Sequence, residues 1–287
     1  MLTQSLKANR LSPAGGAEIM GIDLSRPLDA SEQDFLRKAW AEHLVIVLRG
    51  NEDLAAESQI AFCKTFGEIG ARVRPKEARH EPGGAPAEVM YVSNKRENGR
   101  IIGSIPDGEM EFHIDQSYTR EPAKGTSLYA FEVPREGGDT MFGNLYLAWE
   151  TLPGELKRAV EGRKALNAYG HGGYGIQTRS ANDPAAATRA HAHPIVCRHR
   201  DTGRQLLFIN RLMTIRIEEL PESESNDILF RLFDYQEKPE FRYTHKWRAG
   251  DLLLWDNHCT VHARTDFDPA QTRHLRRFSI KGVEMQA

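Results

Sequence analysis

Short strand-forming segments dominate the chain from about residue 112 onwards, and they constrain the fold more than any other feature of the sequence. Each is a run of apolar, β-branched and aromatic residues bounded by polar or turn-forming residues, the pattern of strands in a packed sheet. "DTGR" and "RAGD" between them are predicted hairpin turns. The segments are 112–119, 126–134, 193–200, 204–210, 241–248 and 251–257. They predict a core made of two β-sheets.

Amphipathic helices are predicted before and between these strands. The first has apolar side chains at helical spacing behind Ser31, the predicted N-cap, and the second is predicted to end at Gly67. The fold class is therefore predicted to be mostly β with flanking helices around a jelly-roll core, a double-stranded β-helix. The predicted helices cover residues 29–44, 55–67, about 145–162 and 222–236.

Length and composition fit one domain over residues 1–287. Of the 287 residues, 40% are hydrophobic, which is enough to bury a sizeable core. Two stretches interrupt the regular pattern, because residues 70–111 are rich in Gly, Pro and charge and residues 165–190 in Gly and Ala. Both are predicted to be loop insertions, the first surrounding one strand at 88–94, and long loops in compact domains usually carry function.

Charge and cysteine content exclude several classes of protein. A formal net charge of −2 gives no reason to expect nucleic acid or a membrane surface as partner. The three cysteines form no C-x-x-C pair, which argues against a disulfide scaffold and favours a reducing compartment. Without an apolar leader or a run of about 20 apolar residues, the sequence predicts a cytoplasmic protein.

The segment "FHIDQSYT" carries the first candidate metal ligands, His113 and Asp115. In a strand, side chains two residues apart point the same way, so this pair could bind one metal ion with a third ligand. Alone the motif is weak, and a surface or hydrogen-bonded His beside a solvated Asp is the more common explanation of it. His262, just past the buried segment 251–257, is the candidate third ligand. Two His and one carboxylate leave half of an octahedral ion open, which suits Fe(II) with a bidentate co-substrate and dioxygen, whereas structural zinc closes its shell with four protein ligands.

Four motifs in this order and spacing resemble the TauD/TfdA family of Fe(II)- and 2-oxoglutarate-dependent dioxygenases. They are "HID" at 113–115, "GGDTMF" at 137–142, "WDNHCTVH" at 255–262 and "RHLRR" at 273–277. Flanking segments from "GAEIMGIDLSRPL" to "RRFSIKG" extend the resemblance over nearly the whole chain.

The resemblance implies roles for five of these residues. His113, Asp115 and His262 would be the iron ligands and hence the catalytic centre, and Arg273, assisted by the Thr140 hydroxyl, would bind the distal carboxylate of 2-oxoglutarate. An arginine fork suits a carboxylate in a partly desolvated pocket because it offers paired, charge-assisted hydrogen bonds. Trp255 is expected to pack under the site, and Asp256 and Asn257 to orient the ligands. None of these last three residues is expected to react with the substrate.

Substrate residues follow less directly from the resemblance. The family position matching Arg277 grips an anionic substrate, and here Arg277 either does so or pairs with a nearby acid. Arg72 stands near the place of a substrate-contacting His, which puts taurine itself in doubt while favouring an anion. Met213 occupies the position where an aromatic side chain is expected to line the substrate pocket. Tyr118 is a further candidate for the pocket. Phe112 stands where the family usually has Trp.

The implied activity is hydroxylation of a C–H bond of a small anion, such as a sulfonate, a phenoxy acid or another carboxylic acid. Fe(II) would be the cofactor, with 2-oxoglutarate and O2 as co-substrates and succinate and CO2 as products, and family members are often dimers or tetramers. Two alternatives remain at this stage. One is a zinc hydrolase using the same His–Asp–His set, and the other is a non-catalytic ligand-binding β-barrel.

Overall fold

The computed structural model describes residues 5–72, 88–104, 108–169 and 189–287. Large parts of the two predicted loop insertions lie outside these residues. The strands are β1 (Lys7–Arg10), β2 (Ala17–Met20), β3 (Val45–Leu48), β4 (Met90–Ser93), β5 (Arg96–Glu97), β6 (Arg100–Ile101), β7 (Met110–His113), β8 (Gly125–Glu132), β9 (Thr140–Asn144), β10 (Lys164–Ala168), β11 (Ala190–Pro194), β12 (Val196–Arg198), β13 (Gln205–Leu207), β14 (Thr214–Ile217), β15 (Arg242–His245), β16 (Leu252–Asp256), β17 (Thr260–Arg264) and β18 (His274–Ile280). The helices are α1 (Ala30–His43), α2 (Ala56–Lys64), α3 (Leu145–Thr151), α4 (Gly154–Val160) and α5 (Glu222–Gln236), with a 3-10 helix at Pro239–Phe241.

Two sheets form the core of the fold. The larger has the strand order β1-β2-β3-β16-β8-β18-β4, and the smaller has the order β15-β9-β17-β7. Most pairings in both sheets are antiparallel, the β2–β3 pair being parallel. Neighbouring strands far apart in sequence, such as β3 and β16, show the long crossings of a jelly roll. The predicted fold class is confirmed.

Alternating side chains of the larger sheet pack on two different layers. In β16, Leu253 and Trp255 belong to the core between the two sheets, whereas Leu252 and Leu254 belong to a second core. The second core also holds Trp40 of α1 and Phe62 of α2. Because both faces of the larger sheet are covered, its central strand is a continuous apolar run rather than an alternating one. A third core joins α3, α4 and α5 to the short strands between residues 164 and 217.

Helix termini differ from the sequence prediction in two places. The N-cap of α1 is Asp29 rather than Ser31, because the Asp29 carboxylate accepts from the backbone N–H of Ser31 and Glu32 while Glu32 accepts from Asp29 N–H. Helix α2 ends at Lys64, with Thr65 as its C-cap, so Gly67 is not the cap. Gly67 has a packing role instead, since a Cβ there would lie 2.7 Å from Cγ2 of Ile280.

Several predicted boundaries need correction. The single helix predicted at 145–162 is two helices, α3 and α4, separated at Pro153. A proline disfavours helical backbone in the residue that precedes it, which explains the break. "RAGD" is not a hairpin turn, because β15 and β16 lie in different sheets. The predicted loop 165–190 begins and ends in strand, since β10 and β11 pair antiparallel.

Each of the six predicted strand segments overlaps at least one strand of the structure. "DTGR" joins β12 and β13, which pair antiparallel as predicted. The segment 222–236 coincides with α5. Within the described part of the chain, none of the helices combines the length and apolar composition that crossing a lipid bilayer requires.

Candidate metal centre

Three candidate ligands converge at one end of the smaller sheet. His113 is the last residue of β7, and it lies directly opposite His262 of the neighbouring strand β17. Asp115 was predicted in a strand, but it lies in the turn that follows β7. The three side chains are all buried, at 6–7% exposure. Strand pairing therefore brings two imidazoles together, and the turn brings the carboxylate to them.

The donor atoms of this group fit a divalent metal ion. Nε2 of His113 lies 3.8 Å from Oδ1 of Asp115, and Nε2 of His262 lies 3.8 Å from Oδ2. The three donors are all within 4.8 Å of one another. With metal–donor bonds of about 2.1 Å, adjacent donors stand about 3 Å apart, so small side-chain movements suffice. Nδ1–H of His113 donates to the carbonyl of Glu111 at 2.9 Å, which leaves the Nε2 lone pair for a metal.

The group supplies three donors, and among the described residues no fourth His, Cys, Asp or Glu joins it. A closed structural zinc site needs four protein donors. Two imidazoles and one carboxylate on one side of an ion leave its remaining positions to small molecules. The donor chemistry thus matches an open Fe(II) site.

Asn257 fixes the backbone of the turn that carries Asp115. Its Oδ1 accepts from the N–H of Asp115 at 2.8 Å, and its Nδ2 donates to the carbonyls of Asp115 at 3.0 Å and Ala123 at 2.8 Å. Thr126 fixes the side chain, because its hydroxyl donates to Oδ2 of Asp115 at 2.7 Å. The prediction that Asn257 orients a ligand is consistent with this geometry.

Electrostatics keep the three groups in the protonation states that a metal requires. Burial lowers the pKa of His113 and, together with the neighbouring His113 ring, takes the pKa of His262 well below its usual value. Burial would raise the pKa of Asp115, but Arg277 and the two imidazoles outweigh it and hold that pKa below its ordinary value. At neutral pH the site is two neutral imidazoles and one carboxylate.

Aromatic rings wall the two imidazoles. The Trp255 ring lies 4.7 Å from the His262 ring, and the Phe142 ring lies 6.3 Å from it in a stacked orientation. The rings of His113 and His262 are 4.0 Å apart. Trp255 is 2% exposed and packs under the site, as predicted.

Arg273 and Thr140 lie on the same inner side of the core. Arg273 immediately precedes β18 and is 2% exposed, and its Nε donates to the carbonyl of Gly138 at 3.0 Å. Burial and the nearby Arg264 lower the pKa of Arg273 to about 9, so the guanidinium stays charged at neutral pH. Among the described residues no carboxylate lies within 4 Å of it. A buried cation without an ion-pair partner is costly, and a bound anion would offset that cost.

Arg277 pairs with an acid, which was one of the two outcomes that the sequence left open. Nη2 of Arg277 lies 2.8 Å from Oδ2 of Asp115. The same guanidinium contacts Sδ of Met90 at 3.8 Å and Oγ of Ser279 at 3.4 Å. Arg277 therefore stands beside the candidate metal ligands, four residues beyond Arg273 on the same strand face.

An apolar shelf, made of Tyr118, Leu212, Met213, Met110 and Tyr169, lies beside this centre. The Tyr118 and Tyr169 rings are 4.7 Å apart, and Ser117 Oγ donates to Sδ of Met213 at 3.4 Å. Tyr118 is close enough to Asp115 and Arg277 to feel both charges, although burial is the main cause of its raised pKa. The shelf thus brings together two of the predicted substrate residues.

Arg72 is the remaining predicted substrate residue. Its Nη1 donates to the carbonyl of Val89 at 2.8 Å, next to the Met90 side chain that Arg277 contacts. The residues that follow Arg72 lie outside the described ranges.

A second His–Asp–His group, His199, Asp256 and His258, also brings its donors within 4.8 Å. Three of the ring nitrogens here already have a close polar neighbour. Nδ1 of His199 accepts from Thr202 N–H at 3.3 Å, Nε2 of His199 lies 3.1 Å from Asp256, and Nε2 of His258 donates to Pro122 O at 3.1 Å. The Asp256 carboxylate accepts from the His258 N–H at 3.0 Å. This group holds the turn before β17 in place.

Sequence reasoning missed Thr126, Gly138 and Trp247. Trp247 donates from Nε1 to Oγ1 of Thr140 at 3.0 Å. Thr126 and Trp247 lie in or next to strands that were predicted from apolar pattern alone, and that pattern gives no information on which polar atoms meet across a core. Gly138 is within the "GGDTMF" motif, but its contact with Arg273 depends on the fold.

The sequence matches the family described as "Taurine catabolism dioxygenase TauD, TfdA family" over residues 7–279. It is 32% identical to the pentalenolactone F synthase of Streptomyces avermitilis, with 91% of this chain and 89% of the relative covered. It is 31% identical to the alpha-ketoglutarate-dependent 2,4-dichlorophenoxyacetate dioxygenase of Cupriavidus pinatubonensis, with 95% and 96% covered.

A solved structure of a taurine dioxygenase from Burkholderia xenovorans has the same fold. Its TM-score is 0.79 at 27% sequence identity, covering 98% of this chain and 93% of that one. None of these similarities supports a zinc hydrolase or a non-catalytic binding barrel.

Proposed function

The chain belongs to the taurine catabolism dioxygenase TauD, TfdA family, and from that premise we propose that it hydroxylates a C–H bond of a small anionic molecule with an apolar body. As a member, it is a 2-oxoglutarate-dependent dioxygenase that uses Fe(II), 2-oxoglutarate and O2. The proposal assigns His113, Asp115 and His262 as the iron ligands. Their donor set and their spacing support it.

Bound iron would supply the chemistry that places one oxygen atom of O2 in succinate, as 2-oxoglutarate loses CO2, and the other in a substrate C–H bond. The side chains of this protein bind, orient and exclude water. Thr126 and Asn257 hold Asp115 in one position, and the Trp255 and Phe142 rings restrict the movement of His262. Ligands held this firmly would bind an ion from one side and leave its other positions to small molecules.

Arg273 is buried and has no carboxylate within 4 Å in the described part of the chain, and this observation carries the assignment of 2-oxoglutarate. A dicarboxylate held by the iron at one end would have a second carboxylate left for a cation of the protein to bind. Arg273 would answer that charge with Nη donors, since its Nε is committed to Gly138. Thr140, whose hydroxyl oxygen accepts from Trp247, would donate its own proton to the same carboxylate.

Arg277 and the apolar shelf together support the proposed substrate class. Arg277 offers a cation beside the metal group, and the shelf offers the ring faces and the Met213 thioether. An anionic head on Arg277 and an apolar body on the shelf would bring a C–H bond next to the ion. Several relatives are named for carboxylates with such a body, including 2,4-dichlorophenoxyacetate.

Anaerobic titration with Fe(II) and 2-oxoglutarate tests the site. We expect a weak visible charge-transfer band, and we expect it to be lost in His113→Ala. The matched control is His191→Ala, a histidine of β11 outside the metal group, which should keep the band. A band that survives His113→Ala would show that the metal binds elsewhere.

Substrate class is tested by succinate release in air. The panel should pair each anion with its neutral amide or alcohol, and it should include short sulfonates, phenoxy acids and alicyclic carboxylic acids. We expect release to be coupled to aromatic or alicyclic anions and to fall for taurine. Coupling to the neutral partners alone would contradict the proposed role of Arg277.

A further inference from the structure

Trp247 lies outside all the assigned roles, yet its only polar atom bonds to a residue of the proposed 2-oxoglutarate pocket. It follows β15 by two residues and is 9% exposed. Its Nε1 stands 3.0 Å from Oγ1 of Thr140, and both side chains are buried. Strand pairing explains the meeting, because His245 of β15 lies directly opposite Thr140 of β9.

The direction of this hydrogen bond is fixed by chemistry. An indole N–H can only donate, so the Thr140 oxygen must accept. The hydroxyl proton of Thr140 therefore points away from Trp247. Among the described residues, no acceptor takes that proton. A hydroxyl held in this way is a donor aimed at whatever anion enters the pocket.

Trp247 is itself held in place from behind. The His245 ring meets the indole edge-on at 4.6 Å and 87°. His245 accepts at Nδ1 from the Tyr243 hydroxyl at 3.0 Å and donates from Nε2 to Oδ2 of Asp251 at 3.0 Å, so its ring cannot flip without losing both bonds. Arg49 donates to the same Asp251 oxygen at 2.7 Å. A chain of buried contacts thus fixes the indole, and through it the hydroxyl.

We propose that Trp247 is a positioning residue for 2-oxoglutarate: it orients the Thr140 hydroxyl as a hydrogen-bond donor to the distal carboxylate, beside Arg273. The inference rests on the proposed function, since it assumes that 2-oxoglutarate occupies the Arg273–Thr140 pocket. A donor already oriented before binding loses less rotational freedom when the carboxylate arrives. The Arg273 guanidinium supplies the positive charge, and the Thr140 hydroxyl supplies a hydrogen bond of fixed direction.

A double-mutant cycle on Trp247 and Thr140 tests the inference. The dissociation constant of 2-oxoglutarate is measured anaerobically from the Fe(II) charge-transfer band, for Trp247→Phe, Thr140→Val, the double variant and the parent. We expect Thr140→Val to weaken 2-oxoglutarate about tenfold or more, the range for a lost hydrogen bond to a charged group. We expect Trp247→Phe to weaken it by about three- to tenfold, the range for a lost hydrogen bond between neutral groups. The double variant should bind like Thr140→Val alone, because Trp247 acts only through the hydroxyl.

Two further variants separate orientation from packing. In a Thr140→Ser background, which keeps the hydroxyl, Trp247→Phe should again weaken 2-oxoglutarate by about three- to tenfold. Trp149→Phe is the matched control, since Trp149 donates from Nε1 to Oε1 of Gln205 at 3.3 Å in another part of the fold. It should leave 2-oxoglutarate affinity unchanged. In steady-state kinetics, Trp247→Phe should raise KM for 2-oxoglutarate while kcat at saturation and KM for the substrate stay within about twofold.

Each result bears on a different claim. Additive effects of Trp247→Phe and Thr140→Val would overturn the inference, because Trp247 would then act through packing. An unchanged affinity in Trp247→Phe, with Thr140→Val still weak, would overturn it as well and leave the proposed pocket intact. If Arg273→Ala and Thr140→Val both bind 2-oxoglutarate normally, the pocket itself is wrong, and the inference falls with it.

Discussion

Arg277 and Asp115 form an ion pair in which Nη2 of the arginine lies 2.8 Å from Oδ2 of the carboxylate. The same carboxylate lies 3.8 Å from the Nε2 atoms of His113 and His262. One cation therefore touches both the proposed metal ligand and the space proposed for the substrate. An anionic substrate that recruits Arg277 would share it with Asp115 rather than find it free.

Arg273 and Arg277 lie on one side of the core, and we expect each to be required for binding a different compound. We expect Arg273→Ala to raise KM for 2-oxoglutarate about 100-fold, since a desolvated, charge-assisted contact is worth about 2–5 kcal/mol. Arg277→Ala should raise KM for the substrate about tenfold or more and leave KM for 2-oxoglutarate within about threefold. Both are read from succinate formation while one compound is varied. Arg277→Lys, which keeps the charge, is the control, and equal losses of 2-oxoglutarate affinity in both alanine variants would contradict this division.

Asn257 should be required for the metal site as well as for stability. Asn257→Ala removes three buried hydrogen bonds to the backbone on either side of the turn carrying Asp115. We expect the free energy of unfolding to fall by about 3 kcal/mol or more and affinity for Co(II) or Fe(II) to fall about 10- to 100-fold. Urea unfolding and metal titration measure the two effects. Asn51→Ala is the control, because Asn51 also bonds to backbone carbonyls but far from the site, so its metal affinity should match the parent's.

Gly138 should affect 2-oxoglutarate through the arginine next to it. Its φ is +64°, and a Cβ there would lie 3.1 Å from Cδ and Nε of Arg273. Gly138→Ala should cost about 1 kcal/mol of stability for the left-handed backbone and also weaken 2-oxoglutarate, because the guanidinium must move. Gly162→Ala isolates the first effect, since Gly162 has a φ of +75° with no atom within 4 Å of its Cβ position. Thermal unfolding should show similar losses for both, and 2-oxoglutarate affinity should change only for Gly138→Ala.

His193 should make the protein less stable in mild acid. Its Nε2 lies 2.9 Å from the carbonyls of Ser117 and Thr119, and burial lowers its pKa to about 4. The unfolded chain takes up a proton below about pH 6.5 and the folded protein does not, so stability is full above pH 6.5 and falls as pH drops towards 4. The loss should reach about 3 kcal/mol. In His193→Gln this contribution should vanish.

Comparing two pH values separates packing from titration in that variant. At pH 8 both forms of the protein have a neutral side chain at position 193, so any difference in unfolding free energy there reports lost packing and hydrogen bonds. The extra loss that the parent shows between pH 8 and pH 5, beyond that of His193→Gln, reports the histidine. Parallel pH profiles for the two proteins would contradict the assignment.

The sheets and helices could largely be predicted from sequence because their signals are local. Apolar runs such as 251–257 need only burial on both faces to be read as strands, and the period of 222–236 fixes a helix. Sheet membership is not local. "RAGD" has the residues of a hairpin turn, with Gly250 at a φ of +81°, but the chain uses that turn to cross between sheets.

The candidate site was partly predictable for a different reason. His113, Asp115 and His262 were predicted from sequence motifs and the family resemblance that those motifs carry. They converge although Asp115 lies in a turn rather than a strand. Contacts such as that of Trp247 with Thr140 depend on which residues face each other across β9 and β15. Pairing register between distant segments cannot be derived from either segment alone, so these partners required the structure.

Strand β7 is an edge strand of the smaller sheet, and its final residue is His113. The other edge of β7 takes a backbone hydrogen bond from Leu212 N–H to Phe112 O. An ion held between His113 and His262 would add a further link between β7 and β17. Amide protons of β7 should then exchange with deuterium much more slowly in the loaded protein, while those of β9, enclosed by neighbours on both sides, should scarcely change. Iron would thereby stabilise the sheet in addition to taking part in the reaction.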